Sequence, residues 1–178
     1  MRLLQGQAFW DLFRQAERSA FHLETRDAYD VDDENPQLAR FLEGHRDDDY
    51  AWFQPWLNLI RDATNRGVAV SRVRVVTVPL PDYHRWLLSI TPENASAGED
   101  IRYVTRHLAG ELPRDDWWLY DDSTVAFNVV DAKGSGVGVA ATDDPHIVAY
   151  CRSVRERLWE VATPYAEFAY GAEGIRTK

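Results

Sequence analysis

The sequence predicts an α/β domain in which a mixed β-sheet is flanked by helices. The predicted elements run helix, strand, helix, strand, helix, then several strands and a last helix. The 178 residues are enough for one domain of ordinary size, and the sequence has no internal repeat, linker or low-complexity tract. We therefore expect a single domain over residues 1–178, with residues 171–178 as a flexible tail.

Helices are predicted where apolar residues recur at spacings of three and four, and their ends from capping residues. Pro55 opens one helix, and Gly67 follows its end as a C-terminal cap. Asp82 is expected to cap a short helix, and Asp144 the last one. The predicted helices cover residues 7–20, a short stretch around 38–42, 55–66, a short segment from 82 to 90, and 145–163.

Strands are predicted from valine-rich or alternating segments bounded by turn residues. The clearest is Val68–Val78, which lies between Gly67 and Pro79. Asp121 and Asp122 form a turn that makes the two strands around them a hairpin. The other predicted strands cover residues 22–29, 101–105, 116–120, 124–130 and 137–141. Residues 30–49, with the run Asp47–Asp49, are expected to form an acidic surface loop around the short helix.

Charge and composition disfavour several classes of partner. The net charge is −9, which opposes binding to nucleic acid or to anionic lipid. The sequence has no apolar run of membrane-spanning length and no signal peptide near its first residue. Cys151, the only cysteine, cannot form an internal disulfide. We expect a cytoplasmic protein without membrane contact that can form a homodimer.

Two arginines within the best strand are the most informative charges. Arg72 and Arg74 lie two residues apart, so their side chains project from the same face. A buried guanidinium needs an anionic partner. That partner is either an internal carboxylate or the phosphate or carboxylate of a ligand, which arginine holds in bidentate fashion. The candidate internal partners are Glu24, Asp27, Glu99 and Asp116.

Other polar and aromatic residues extend this candidate site. Arg85 and Arg102 can join the arginine cluster, and Trp118 can shape a pocket. The paired acids at 115–116 and 121–122 are more typical of turns and strand ends than of acid–base chemistry. Scattered histidines and one cysteine give no metal-binding spacing, and the segment Gly134–Gly138 lies between strands, not before a helix. We predict no metal and no cofactor.

Five segments together carry a family resemblance. They are residues 20–29, 72–76, 79–86, 97–102 and 116–122. They resemble the actinobacterial DUF6879 family over about residues 9–170. That family implies no established activity, and its members are often encoded beside helix-turn-helix regulators, which implies a regulatory setting with such a regulator as a protein partner.

A more distant resemblance is to one half of a phospholipase-D-like fold. The shared order is a helix, a valine-rich strand, a strand ending in Tyr120-Asp121-Asp122, and a closing helix. Active members of that fold carry a nucleophilic histidine and a phosphate-binding lysine. Aligned on Asp121, those positions hold Arg114 and Asp116, which cannot replace them chemically. The resemblance therefore implies a degenerate catalytic motif.

Three functional hypotheses follow. The first is a non-enzymatic binding or regulatory module, with an anionic small molecule in the relic cleft. The second is an enzyme of a specialised-metabolite pathway. The third is a structural partner in an oligomer. For the first, the ligand-binding residues would be Arg72, Arg74, Arg85, Arg102, Asp116 and Trp118; for the second, the catalytic candidates are Glu24, Asp27, Tyr83 and Glu99.

Overall fold

Eight strands form one mixed sheet in the computed structural model, which describes residues 1–45, 50–131 and 135–175, the last four without side chains. In spatial order the strands are β1-β7-β6-β5-β2-β3-β4-β8. The strands are β1 (Arg2–Leu4), β2 (Ser19–Glu24), β3 (Ala69–Val76), β4 (Asp100–Thr105), β5 (Trp117–Tyr120), β6 (Thr124–Val130), β7 (Gly136–Thr142) and β8 (Thr163–Pro164). This architecture confirms the predicted fold class.

The three strands β2, β3 and β4 run parallel, whereas every other pairing in the sheet is antiparallel. Parallel neighbours need crossover connections, which here contain the helices between β2 and β3 and between β3 and β4. The helices are α1 (Gln7–Gln15), α2 (Asn35–Leu42), α3 (Gln54–Asn65), α4 (Asp82–Ser96), α5 (Pro145–Val161) and α6 (Tyr165–Ile175), with a 3₁₀ turn at Ala51–Phe53.

The two faces of the sheet are covered by different helices. On one face, α1 and α3 pack against apolar residues that include Val70 and Trp118. At the β4 end of the same face, α4 and α6 pack around Tyr103. On the opposite face, α5 packs against a second core that includes Trp117. Trp117 and Trp118 are both buried, as their alternation along β5 requires.

Two predicted boundaries near the N-terminus are wrong. The helix predicted over 7–20 ends at Gln15, because Ala16 leaves the helical conformation with ψ 133°. The strand predicted over 22–29 starts at Ser19 and ends at Glu24. Ala20 is buried in the observed strand, and an apolar residue would be buried in a helix as well. Its apolar character therefore did not distinguish a helix from a strand at this position.

Other elements differ in length or were not predicted. Helix α4, predicted only from 82 to 90, continues to Ser96 and contains Pro92. Pro81 precedes it as the N-cap, and Asp82 lies within its first turn. Strands β1 and β8 and helix α6 were missed. Residues 171–175 of the predicted tail lie in α6, while residues 176–178, 132–134 and Asp47–Asp49 lie outside the described residues.

The predicted capping and turn residues at three other sites are confirmed. Gly67 follows α3 with φ +89°, a conformation that glycine adopts without strain. The Asp144 carboxylate accepts hydrogen bonds from the backbone N–H groups of His146 (2.9 Å) and Ile147 (3.3 Å). Asp121 and Asp122 have φ of 51° and 57° in the turn between β5 and β6.

Candidate functional site

Four charged side chains form a buried cluster on the central strands. The Glu24 carboxylate accepts hydrogen bonds from Arg72 Nη1 and, at 2.6 Å, from Arg74 Nε. Glu99 accepts one from Arg72 Nε at 2.8 Å. None of the four side chains is more than 11% exposed. Two guanidinium charges are therefore balanced by two carboxylate charges away from bulk water.

The strand register places this cluster. Glu24 of β2 lies beside Arg74 of β3, and His22 lies beside Arg72. On the outer sides, Trp118 of β5 is the neighbour of His22, and Tyr103 of β4 is the neighbour of Arg74. Because neighbours across a ladder point to the same face, alternate residues of four strands meet there.

Additional hydrogen bonds fix the arginines without using all their donors. Arg74 Nη1 donates to Thr91 Oγ1 and to Tyr103 Oη, both at 3.1 Å. Asn94 Nδ2 donates to the second oxygen of Glu99 at 2.7 Å. Among the described residues, Nη2 of Arg72 and Nη2 of Arg74 have no hydrogen-bond partner. Each guanidinium thus retains a donor.

The cluster fixes the ionisation of its members. Burial alone would raise the pKa of Glu24, but Arg72 and Arg74 hold it well below its usual range. Burial alone would lower the pKa of Arg72, but Glu24 and Glu99 raise it. Glu24 is therefore a carboxylate, and Arg72 a cation, at neutral pH.

Two of the four predicted partners of the arginines are the observed ones, namely Glu24 and Glu99. The expectation for Asp27 and Asp116 is wrong. Asp27 binds Arg106 at 3.2 Å and accepts a hydrogen bond from Thr77 at 2.9 Å. It follows the end of β2, so it does not share the face of the cluster.

A cleft of about 940 Å³ opens over the cluster. Its lining includes Arg72, Arg74 and Trp118, three of the predicted ligand-binding residues. Three acids of the segment before α2, Asp30, Asp33 and Glu34, also line it. The cleft is rich in aromatic side chains, which include Trp10, Tyr29, Trp52, Phe53, Trp56 and Tyr83.

His22 lies in the floor of this cleft and is buried. Its ring stacks on Trp118 with centroids 4.2 Å apart and an interplanar angle of 10°. Burial, with a further contribution from Arg72, lowers the pKa of His22 to about 3. The imidazole is therefore neutral. Neither ring nitrogen has a hydrogen-bond partner in the described part of the chain, although Glu24 Oε1 lies 3.5 Å from Nδ1.

Two tyrosine–carboxylate pairs lie beside the cleft, with the tyrosine rings 5.6 Å apart. Tyr83 Oη donates to Glu34 at 2.5 Å, and burial followed by Glu34 raises the pKa of Tyr83. Tyr29 Oη donates to Asp116, which also accepts hydrogen bonds from the backbone N–H (2.8 Å) and hydroxyl (2.6 Å) of Thr25. Burial raises the pKa of Asp116 and of Glu34.

The structure brings some predicted site residues together and separates others. Arg72, Arg74, Trp118, Glu24 and Tyr83 line the cleft. Glu99 lies beneath it, and Asp116 lies behind Tyr29. The remaining predicted residues are elsewhere: Asp27 with Arg106, Arg85 exposed with Asp82, and Arg102 over the Trp159 ring at 3.8 Å on the α5 face.

Several cleft residues were not predicted. His22 shares a strand face with Glu24, and that alternation was the available signal. Trp56 lies in the helix predicted over residues 55–66, is only partly buried, and its ring centroid lies 5.6 Å from the Arg72 guanidinium. Glu34 lies in the acidic segment, where nothing in the sequence indicated that Tyr83 would bind it.

Two features of the described residues bear on the class of site. None of the described helices has the length and apolar character needed to cross a membrane. Among the same residues, no three histidine, cysteine or acidic side chains come close enough to hold a metal ion together.

The fold and site define an α/β domain with a neutralised arginine cluster beneath an aromatic cleft. The family model DUF6879, a domain of unknown function, matches residues 7–170. The chain therefore belongs to the DUF6879 family. No curated protein matches the sequence.

Two of the solved structures that align with the chain show a distant similarity. The archaeal chromatin protein TrmBL2, whose structure is described as showing a novel mode of DNA binding, aligns at 15% identity and a TM-score of 0.49 over 91% of this chain. Phosphatidylserine synthase of Haemophilus influenzae aligns at 10% identity and a TM-score of 0.44 over 90%. The chain spans 53% and 37% of their respective lengths. At these scores, neither similarity indicates a function for this chain.

Proposed function

We propose that the chain is a non-enzymatic ligand-binding module of a regulatory system, and that its ligand binds in the aromatic cleft. One observation carries this proposal: the Arg72 and Arg74 guanidinium groups line the cleft, are fixed by Glu24 and Glu99, and each retain an unused Nη2 donor. A rigid, pre-oriented donor pair loses little entropy on binding.

The ionisation of the cleft supports binding more than catalysis. An effective general base needs a pKa near the working pH. His22 has a pKa of about 3, and Glu24 is held ionised by two arginines. The pKa values of Tyr29 and Tyr83 are raised by burial and neighbouring carboxylates, so both remain hydrogen-bond donors.

The proposed ligand has a flat apolar body and an acceptor group. The body would contact the aromatic walls, for example Trp56. The acceptor group, a carboxylate or phosphate in the strongest case, would take the two Nη2 donors. Glu24 and Glu99 already balance the two guanidinium charges, so the expected gain is that of charge-assisted hydrogen bonds without a full ion pair.

The proposal includes several further parts. We infer a cytoplasmic protein of actinobacterial source that acts with a protein partner, such as a helix-turn-helix regulator, or as a homodimer. We also propose that Arg114 and Asp116 mark a degenerate phospholipase-D-like motif. The exposed position of Arg114 and the hydrogen bonds of Asp116 to Thr25 and Tyr29 support this loss of phosphodiesterase chemistry. The charge of −9 weighs against nucleic acid as a ligand.

Saturation-transfer NMR with two matched probes tests the proposal. The probes are 2-naphthoate, which has the acceptor group, and 2-methylnaphthalene, which lacks it. We expect stronger transfer to 2-naphthoate, and its loss in Trp56→Ala. Trp159→Ala is the control, because Trp159 is also partly buried but contacts Phe21 on the opposite face. Equal binding of the two probes would show that the acceptor group does not contribute to recognition. No saturation transfer to either probe would overturn the proposal.

A second candidate function, an enzyme using acid–base chemistry, has one observation in its favour. Glu34 lies in the cleft, hydrogen-bonded to Tyr83 at 2.5 Å, and burial raises its pKa. A carboxylic acid with a raised pKa beside open space is typical of a general acid. Glu24, Asp27 and Glu99 are less suitable, because arginines already neutralise them.

Carboxyl ¹³C NMR titration distinguishes the two functions. The enzyme hypothesis requires Glu34 to change protonation near neutral pH, and Glu34→Gln provides the assignment of its resonance. A Glu34 that is fully ionised at pH 6 would remove the enzyme hypothesis.

A further inference from the structure

The floor of the cleft contains buried polar atoms that have no hydrogen-bond partner among the described residues. They are Nδ1 and Nε2 of His22 and Oδ1 of Asn94, and both residues line the cleft. His22 is 6% exposed and Asn94 1%. A buried polar atom without a hydrogen bond costs about 1–3 kcal/mol, so three such atoms on residues that line one cleft call for an occupant.

The hydrogen-bonding role of Asn94 is fixed by its neighbour. Its Nδ2 donates to Glu99 at 2.7 Å, and Glu99 is a carboxylate that also accepts from Arg72. An ionised carboxylate can only accept, so the amide nitrogen must face it. The unsatisfied Oδ1 is therefore an acceptor that requires a donor from the occupant.

The role of His22 is fixed by its ionisation. The ring is buried, stacked on Trp118, and within reach of the positive charge of Arg72, so it is neutral. A neutral imidazole has one N–H donor and one acceptor nitrogen. It therefore requires both an acceptor and a donor from the occupant.

These requirements disfavour simple ions. A fully ionised anion such as sulfate would satisfy the unused donors of Arg72 and Arg74 but offers no donor to Asn94 Oδ1. A metal ion or an ammonium group offers no acceptor to the unused donors of Arg72 and Arg74. A neutral group with an N–H donor beside a carbonyl acceptor meets the needs of His22 and Asn94 together.

We propose that the cleft recognises a planar amide-bearing heterocycle, such as a lactam or cyclic imide, through His22 and Asn94. This inference rests on the proposed ligand-binding function and specifies its ligand class. The amide edge would face His22 and Asn94, while an acceptor oxygen would take a donor from Arg72 or Arg74. The His22 ring covers one face of Trp118, so Trp118 would hold the His22 ring in position. The aromatic contacts with the ligand would come from the cleft walls.

The test compares uracil with 1,3-dimethyluracil, which has the same ring and carbonyl groups but no N–H donor. By saturation-transfer and titration NMR, the native chain should bind uracil at least about tenfold more tightly, the difference expected for loss of hydrogen bonds to buried groups. His22→Phe keeps a ring on Trp118 and removes both nitrogens. His22→Phe should retain the fold and lose the preference for uracil over 1,3-dimethyluracil. His107→Phe, at an exposed position, should keep that preference.

A second measurement does not depend on a variant that folds. In the unmodified chain with ¹⁵N-labelled histidine, uracil should move the ring nitrogen resonances of His22 and leave those of His107 in place. Unmoved His22 resonances, or equal affinity for the two probes, would mean that water alone fills the floor, and would overturn the inference. Binding of 2-naphthoate with no preference for uracil would leave the proposed function intact, whereas binding of none of the probes would remove both.

Discussion

Arg74 Nε donates a hydrogen bond of 2.6 Å to Glu24, its neighbour on the adjacent parallel strand, in a part of the sheet that bulk water hardly reaches. Arg72 binds the other oxygen of the same carboxylate. One acid thus joins two cations that would otherwise repel each other across two residues of β3. The stability of the sheet and the shape of the cleft floor both depend on this contact.

Glu24→Gln should therefore be strongly destabilising. The substitution leaves two buried guanidinium groups with only Glu99, and breaking a buried pair typically costs about 3–5 kcal/mol. We expect a loss of that size in the free energy of unfolding, measured by urea denaturation. Asp100→Asn is the control, since Asp100 is half-exposed and binds Arg102 at 3.3 Å, and it should cost less than about 1 kcal/mol. Equal effects would show that the cluster is not buried in solution.

The stability of the chain should fall in mild acid because of His22. The folded pKa of about 3 lies below the ordinary value of 6.5, so the unfolded chain binds more protons between these values. Stability is therefore complete above about pH 6.5 and lost as the pH falls, by up to about 1.4 kcal/mol per pH unit for one proton. Burial also lowers the pKa of His84, which adds in the same direction.

His22→Phe isolates this contribution. Between pH 6.5 and 5, the free energy of unfolding of the variant should fall less steeply than that of the native chain, while His107→Phe should keep the native slope. Glu34 and Asp116, whose pKa values are raised, also change the stability with pH. Because both chains contain them, these contributions cancel when the slopes are compared. Parallel curves for His22→Phe and the native chain would mean that His22 is protonated or exposed in the folded state.

Asp121, in the turn between β5 and β6, should contribute to the stability of the fold. Its carboxylate accepts hydrogen bonds from the backbone N–H groups of Glu17 (2.9 Å), Arg18 (2.7 Å) and Ser19 (2.9 Å). Burial alone would raise its pKa, but these three donors lower it. Asp121→Asn, which tolerates the positive φ, should cost about 1–2 kcal/mol, whereas Asp62→Asn on exposed helix surface should cost little. If the two variants unfold at the same temperature, the Asp121 hydrogen bonds do not stabilise the fold.

Cys151 should be inert in the folded chain. It lies in α5, on the side that is fully buried against the sheet, and burial raises the pKa of its thiol to about 12. Reaction with a disulfide reagent should be at least about 100-fold slower for native than for urea-unfolded chain, because it requires local opening. Comparable rates would indicate that α5 is not firmly packed on the sheet.

The sequence predicted the architecture well wherever local chemistry dominates. The valine-rich segment became β3, and Gly67 and Asp144 cap the helices that they were expected to cap. The missed elements depend on distant partners. Strand β1 exists because it pairs with β7, some 135 residues away in sequence, and two-residue β8 exists only beside β4.

The same distinction applies to the site. Two arginines on one strand face predicted a cluster that needs anions, and Glu24 and Glu99 were among the proposed partners. Alternation alone cannot tell which strands become neighbours, so Asp27 and Asp116 looked equally suitable. The roles of His22, Asn94 and Glu34 follow from burial and from the cleft above them, which no sequence pattern encodes.

A double-mutant cycle on Glu24 and Arg74 tests the central claim most directly. Glu24→Gln, Arg74→Met and the double variant are compared with the native chain by urea denaturation. We predict a coupling energy of about 2–3 kcal/mol, with the double variant more stable than Glu24→Gln because one unpaired cation is gone. A coupling energy near zero would contradict the account, since it would mean that the two side chains do not neutralise each other within the sheet.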